Sequence, residues 1–127
     1  TIPVSRLSET LAGIAALGDR WGLRVANVFH AGDGNMHPLI LFDANSEDGL
    51  RRAEGLGADI LRLCVAMGGC LTGEHGVGVE KRDLMGEQYR AEDLEAQMRV
   101  KDAFDPGWML NPAKVFPLQA SASRRAA

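Results

Sequence analysis

Two short runs of strand-forming residues enclose a five-residue turn, and this arrangement constrains the fold more than any other feature of the sequence. The runs cover residues 23–30 and 36–42, and both are rich in Val, Ile, Leu and Phe. Apolar, β-branched and aromatic side chains of this kind are common in strands. Between them lies Ala-Gly-Asp-Gly-Asn at residues 31–35, whose residue types tolerate the positive φ angles of tight turns. The sequence therefore predicts an antiparallel hairpin.

Helical periodicity surrounds the hairpin. Apolar residues recur at helical spacing in residues 5–18, 46–67 and 92–104, with Asn45 or Ser46 as the expected cap of the second helix. Strands and helices that follow one another in this way favour an α+β fold, and we expect a ferredoxin-like antiparallel sheet with helices on one face. A two-stranded sheet is marginal alone, so we expect an incomplete sheet that gains further strands from missing sequence or from a partner chain.

The chain divides unevenly in composition. Residues 1–117 are expected to form one domain, and the small, polar residues 118–127 are expected to be a disordered tail.

Two cysteines are too few for a disulfide framework, which indicates a reducing compartment and a cytoplasmic protein. The spacing of Cys64 on the second helix predicts that its thiol lies in the core.

Charge excludes one class of function. The 17 acidic residues outnumber the 14 Lys and Arg, which gives a net charge of -3. Proteins that bind nucleic acid electrostatically carry a basic excess, so we expect no nucleic-acid partner. The sequence also has no apolar run near the roughly 20 residues of a membrane-spanning helix and no signal-peptide pattern at its start.

Two stretches of the chain are rich in glycine: the first contains Gly32 and Gly34, and the second runs from Gly68 to Gly78. All three histidines lie in these two stretches. His30 and His37 flank the predicted turn, so a closed hairpin would present both imidazoles toward one point. Glu74, in the second stretch, is a candidate third ligand. Two imidazoles and one carboxylate suit a divalent transition metal and leave a coordination position open, as catalytic metal sites do.

The same polar residues also fit simpler roles. Asp33 and Asn35 suit a turn, and their side chains could equally orient the two histidines from outside the ligand set. Glu74 could be a solvated loop charge and His75 an exposed loop histidine. Adjacent residues usually point in different directions, so one of this pair could bind metal while the other faces substrate. A phosphate-binding loop is excluded because Gly32 and Gly34 lead into a strand, whereas a dinucleotide fingerprint opens a helix.

Four motifs, in this order, resemble one known family. They are His-Ala-Gly-Asp-Gly-Asn-Met-His-Pro at 30–38, Gly-Glu-His-Gly-Val-Gly at 73–78, Phe-Asp-Pro at 104–106 and Leu-Asn-Pro-Ala-Lys at 110–114. The chain resembles the C-terminal part of the FAD-linked 2-hydroxy-acid oxidases and dehydrogenases, which include D-lactate and D-2-hydroxyglutarate dehydrogenases. Residues 27–45 are most similar to the FAD-linked subunits of bacterial glycolate oxidases.

The resemblance implies a role for individual residues. It implies that a divalent metal, for which zinc is one candidate, is held by His30, His37 and Glu74. His75 matches the general base of the family, and Asn111 and Lys114 match a stretch that lies by the flavin. Ala113 stands where the family usually has glycine. Leu39 replaces a polar substrate contact of relatives that oxidise dicarboxylates, which implies a small substrate such as glycolate or D-lactate.

The resemblance also implies an activity and partners. The activity would be oxidation of a 2-hydroxy acid to the 2-oxo acid, with metal-assisted proton abstraction and hydride transfer to FAD. An N-terminal FAD-binding domain outside this sequence would hold most of the cofactor, so we expect this chain alone to be inactive. Further partners would be an iron-sulfur subunit and other oxidase subunits, and the complex would be cytoplasmic or peripheral on the inner membrane.

Two other functions fit some of the residues. A stand-alone metal-dependent hydrolase could use the same three ligands, with His75 activating water. A non-catalytic interaction domain could recruit a partner through an exposed sheet edge.

Overall fold

The predicted hairpin is present, and two long helices flank it in the chain. The computed structural model describes the backbone of residues 1–125 and the side chains of residues 1–122. It divides the chain into two units, the first of which is Thr1–Gly73. The elements of this first unit are α1 (Leu7–Trp21), β1 (Arg24–His30), β2 (Asn35–Leu41) and α2 (Gly49–Ala66). Their order is the central part of the ferredoxin-like β-α-β-β-α-β order, and the α+β class with an antiparallel sheet is confirmed.

The two strands pair in a continuous register. Arg24 lies opposite Leu41 at one end of the hairpin, and His30 lies opposite Asn35 at the turn. Side chains alternate between the faces of a strand pair. One face packs against the helices through Val25, Met36 and Ile40. The opposite face, called the outer face below, carries Ala26, Val28, His30, His37, Leu39 and Leu41.

The core of the first unit lies between the helices and the inner face of the sheet. Ile14 of α1 and Leu56 of α2 are fully buried there, together with Ile60 and Cys64. The expected burial of Cys64 is confirmed, and desolvation by the surrounding apolar groups raises the pKa of its thiol. Helix α2 begins later than expected, at Gly49, because residues 43–48 form turns in which Asp43 accepts hydrogen bonds.

The second unit begins at Glu74 and is helical. Its elements are α3 (Met85–Gln88), α4 (Ala91–Phe104) and α5 (Leu118–Arg125), with a short 3-10 turn at Arg82–Leu84. The helix expected at 92–104 is therefore confirmed. Met98 of α4 packs with Trp108 and Phe116 of the following loop, and these three side chains form a hydrophobic cluster. Among residues 1–125, no helix combines the length and hydropathy that crossing a membrane requires.

The end of the second unit differs from the expected disordered tail. Helix α5 begins directly after Pro117, whose carbonyl accepts hydrogen bonds from both the backbone N–H and the hydroxyl of Ser121. Ser121 is buried, and Ala120 packs against the cluster of Met98, Trp108 and Phe116. These contacts order a segment whose composition alone indicates a tail. Residues 126–127 of that expected tail lie outside the described residues.

Candidate active site

The hairpin brings two of the three histidines side by side. His30 ends β1, and His37 lies opposite Val28, so both imidazoles project from the outer face next to the turn. Their ring centroids are 5.4 Å apart with an interplanar angle of 84°. Diagonal neighbours on one face of an antiparallel pair are within reach of each other's side chains. The register therefore produces the convergence that the sequence predicts for these two residues.

The first two residues of the chain tie the turn to the second glycine-rich stretch. The backbone N–H of Ile2 donates to the carbonyl of Gly34 (2.9 Å), and the N–H of Cys70 donates to the carbonyl of Thr1 (3.0 Å). A Cβ at Gly34 would overlap the Ile2 carbonyl, and a Cβ at Gly69 would overlap the Thr1 carbonyl. Glycine at these two positions permits the close backbone approach that holds turn and loop together.

Asn35 lies against the residue that precedes Glu74. Its side-chain oxygen occupies the space that a Cβ at Gly73 would need. One carboxylate oxygen of Glu74 and one nitrogen of each imidazole, from His30 and His37, lie within 4.8 Å of one another.

The chemistry of this group fits a divalent metal. Zinc binds imidazole nitrogens and carboxylate oxygens at about 2.0–2.2 Å, so ligand atoms that share an ion are separated by at most twice that distance. Small side-chain rotations would therefore bring these donors onto one ion. His37 is half-buried, whereas His30 and Glu74 are exposed, so one side of the group remains accessible to a further ligand.

Two further candidate residues, His75 and Asp33, differ in their surroundings. The Nε2 atom of His75 lies 3.6 Å from a carboxylate oxygen of Glu74, and the His75 side chain is 73% exposed. This imidazole is accessible and adjacent to one of the candidate ligands. Asp33 is exposed in the turn, where its backbone N–H donates to the carbonyl of His30 (3.1 Å).

Asn111 and Lys114 lie in the loop between α4 and α5, and both are exposed. This loop has an unusual backbone, since four of its non-glycine residues have positive φ: Trp108, Asn111, Ala113 and Val115. Ala113, with φ of 59°, adopts the left-handed conformation that glycine reaches without steric cost. This conformation explains physically why glycine suits that position. The loop is held at Ala113 by Arg82, whose guanidinium donates to the Ala113 carbonyl.

Asp105 organises the start of the same loop, a role that the sequence does not reveal. Its buried carboxylate accepts hydrogen bonds from Lys101 Nζ (2.7 Å) and from the backbone N–H groups of Met109 (3.0 Å) and Leu110 (2.9 Å). The bond from Lys101, with smaller contributions from the two amides, lowers the pKa of Asp105. In the sequence, Asp105 belongs to the Phe-Asp-Pro motif at 104–106, which assigns no role to its side chain.

Comparisons with known proteins agree with the motifs. Residues 1–115 match the family model described as FAD linked oxidases, C-terminal domain. The chain is 55% identical over 117 residues to the glycolate oxidase subunit GlcD of Escherichia coli (strain K12), and the match covers 92% of this chain and 23% of that protein. It is 34% identical to the glycolate oxidase subunit GlcD of Bacillus subtilis (strain 168), with coverage of 94% of this chain and 26% of that protein.

A third relative carries a different name. The chain is 36% identical to a mitochondrial D-lactate dehydrogenase [cytochrome] of Arabidopsis thaliana, over 91% of this chain and 20% of that protein. The chain thus spans about a quarter or less of the length of these relatives. Since the family model covers nearly the whole sequence, the chain belongs to the family of FAD linked oxidases, C-terminal domain.

Proposed function

We propose that this chain is the metal- and substrate-binding part of an FAD-dependent enzyme that oxidises a 2-hydroxy acid to the 2-oxo acid. The observation that carries the proposal is the approach of the His30, His37 and Glu74 donor atoms to within 4.8 Å, in a chain that belongs to an FAD-linked oxidase family. The names of its relatives, glycolate oxidase and D-lactate dehydrogenase, favour glycolate or D-lactate as substrate.

In this proposal, His30, His37 and Glu74 hold a divalent metal, for which zinc is one candidate. A metal bound there would polarise the substrate's oxygen atoms and lower the pKa of its 2-hydroxyl group. His75, whose imidazole lies next to Glu74, takes the hydroxyl proton as the general base. Asp33 and Asn35 orient the two histidines, and the position of Asn35 directly opposite His30 in the strand register supports this role for Asn35.

FAD would supply the electron acceptor for the two electrons and the hydrogen that leave the α-carbon of the substrate. Asn111 and Lys114 contact this cofactor in our proposal, and their accessibility in a loop fixed by Asp105 supports it. Most of the FAD contacts come from an N-terminal FAD-binding domain, so this chain alone is inactive. An iron-sulfur subunit and other oxidase subunits complete the complex, which is cytoplasmic or peripheral on the inner membrane.

An aliphatic side chain on the outer face bears on the size of the proposed substrate. Leu39 lies on the same face as the two histidines, two residues beyond His37, and it is 51% exposed. An aliphatic side chain there offers no hydrogen bond to a second carboxylate. This position therefore favours a small monocarboxylic 2-hydroxy acid over a dicarboxylic one.

The first experiment combines metal analysis with an oxidation assay. The purified chain is loaded with zinc and dialysed, and the bound metal is counted. The flavin-loaded protein that carries the chain is then assayed with glycolate and D-lactate, with and without a chelator. We expect one metal ion per chain and chelator-sensitive oxidation.

Variants assign the roles. His37→Ala should abolish stoichiometric metal binding, whereas Leu41→Ala, a control on the far end of the same face, should retain it. His75→Ala should keep the metal and lower turnover by roughly 10²–10⁴-fold, because it removes the base and no ligand. Unchanged metal content in His37→Ala would refute the site. Metal-dependent hydrolysis without flavin would instead favour the hydrolase alternative.

A further inference from the structure

An apolar strip runs along the outer face from the two histidines toward the open end of the hairpin. Val28, Leu39 and Leu41 form it and are 56%, 51% and 47% exposed. Val28 lies directly opposite His37, and Leu39 lies opposite Ala26. The inner face of the sheet, in contrast, packs against the helices. The strip is therefore a half-exposed aliphatic surface that begins at a candidate metal ligand.

The register places Val28 close to this ligand. Side chains directly opposite each other on an antiparallel pair have Cβ atoms about 4.5–5.5 Å apart. His30 and His37 are diagonal neighbours on the outer face. Val28 and Leu39 form the next diagonal pair on this face, two residues farther from the turn. Since the two imidazole rings in that relation have centroids 5.4 Å apart, the two aliphatic side chains can form one continuous wall beside the imidazoles.

We propose that Val28 is a specificity-determining residue that contacts the substituent on C2 of the bound 2-hydroxy acid. This inference rests on the proposed function, because it takes the acid to be held at His30, His37 and Glu74. The methyl groups of Val28 can contact a hydrogen or a short alkyl group but form no hydrogen bond to a polar one. The position sets an upper limit on the length of the aliphatic substituent, independently of Leu39.

The test uses the ratio of the kcat/KM values of two substrates in one enzyme preparation. The fraction of active protein is the same for both substrates and cancels from this ratio. The flavin-loaded protein is prepared as wild type, Val28→Ala, Val28→Phe and the control Leu41→Ala. The kcat/KM values are measured for glycolate, D-lactate and D-2-hydroxybutyrate. One methylene in an apolar pocket changes discrimination by about 10-fold or more. Val28→Ala should therefore raise the ratio of D-2-hydroxybutyrate to glycolate by about 10-fold, and Val28→Phe should lower the ratio of D-lactate to glycolate by a similar factor.

A binding measurement complements the kinetic one. The affinity for 2-oxobutyrate relative to pyruvate, measured by calorimetry in the same variants, should rise in Val28→Ala and fall in Val28→Phe, so the ratio of the 2-oxobutyrate to the pyruvate dissociation constant should move opposite to the kinetic ratios. Leu41→Ala should leave every ratio within about twofold, since Leu41 lies two register positions farther from the histidines than Leu39 does. Ratios in Val28→Ala and Val28→Phe that match those of Leu41→Ala would overturn the inference and leave the proposed function intact. Absence of oxidation of any 2-hydroxy acid by the wild type would overturn the proposed function itself.

Discussion

At the scale of single residues, the backbone conformation of Gly34 allows the turn to approach Ile2 closely. Ile2 and Thr1 connect this turn to the second glycine-rich stretch. Gly34 has φ of 65°, and a Cβ there would overlap the carbonyl of Ile2. Gly32, two residues earlier in the same turn, is different, because a Cβ there would meet no atom within 4 Å outside its immediate chain neighbours. The two glycines therefore form a matched pair for mutation.

We predict that Gly34→Ala lowers the free energy of unfolding by about 1–3 kcal/mol, because alanine is strained at this φ and the tie to Ile2 must shift. Gly32→Ala should be nearly neutral. Urea unfolding followed by circular dichroism measures both changes, and a zinc titration should show weaker binding for Gly34→Ala alone. Equal stabilities of the two variants would contradict this account of the turn.

The sequence predicts which side chains converge where their positions depend only on the pairing of two neighbouring strands. The turn residues at 31–35 determine the register, and the register places His30 and His37 on one face. The role of Asp105 could not be read in this way. Its partners include the backbone N–H groups of Met109 and Leu110, which point toward the carboxylate only because the folded loop turns back on itself.

At the scale of elements, α4 and the loop after it form one hydrogen-bonded unit. Lys101 of α4 donates to both the Asp105 carboxylate and the Leu110 carbonyl (2.9 Å), and the indole N–H of Trp108 donates to Asp102 (2.6 Å). The last turn of the helix thereby fixes the loop that carries Asn111 and Lys114. Helix propensity predicts α4 but contains no information on these loop contacts.

The lowered pKa of Asp105 predicts a dependence of this unit on pH. A carboxyl group whose folded pKa lies below its unfolded value, about 3.9, stabilises the fold at higher pH and loses that contribution as the pH falls through its folded pKa. We expect the protection factors of the Met109 and Leu110 amides to fall on acidification below about pH 4.

Two variants test this dependence by hydrogen exchange measured with NMR. Asp105→Asn should lower the protection of the Met109 and Leu110 amides already at neutral pH and flatten its pH dependence. Asp83→Asn, which changes a side chain that is 68% exposed, should behave like wild type. An unaltered pH profile in Asp105→Asn would show that another group controls the loop.

Elements were predicted well where apolar periodicity and turn chemistry agreed, as in α1, the hairpin and α4. Helix α5 was missed for a physical reason. Its sequence is small and polar, and its order comes from the buried Ser121 and from Ala120 against Met98, Trp108 and Phe116. Such contacts depend on a cluster that only the folded chain creates.

At the scale of the whole molecule, the small sheet leaves apolar side chains exposed on its outer face. Both strands have an edge that no other strand within residues 1–125 pairs with, and the outer face adds Val28, Leu39 and Leu41. Unpaired edges and contiguous apolar patches favour association. A two-stranded sheet of this kind follows from the sequence, but the exposed fraction of each side chain required the structure.

We therefore predict that the isolated chain self-associates as its concentration rises. Sedimentation velocity over a wide concentration range measures this, and Leu41→Lys should shift the equilibrium toward monomer because it places a charge in the apolar strip. Val100→Lys is the control, since Val100 is 61% exposed on α4 and lies outside the sheet. A monomer at every concentration would contradict the prediction.

The tie formed by Thr1 and Ile2 has a consequence for how the candidate site opens. Ile2 is hydrogen-bonded to the turn after His30, and Thr1 is hydrogen-bonded to the loop before Glu74, so one dipeptide holds both segments. Moving the turn away breaks the hydrogen bond to Ile2, and moving the loop away breaks the hydrogen bonds to Thr1. Because one peptide bond joins Thr1 to Ile2, we expect opening of the candidate site to release the turn and the loop together, as a single cooperative event.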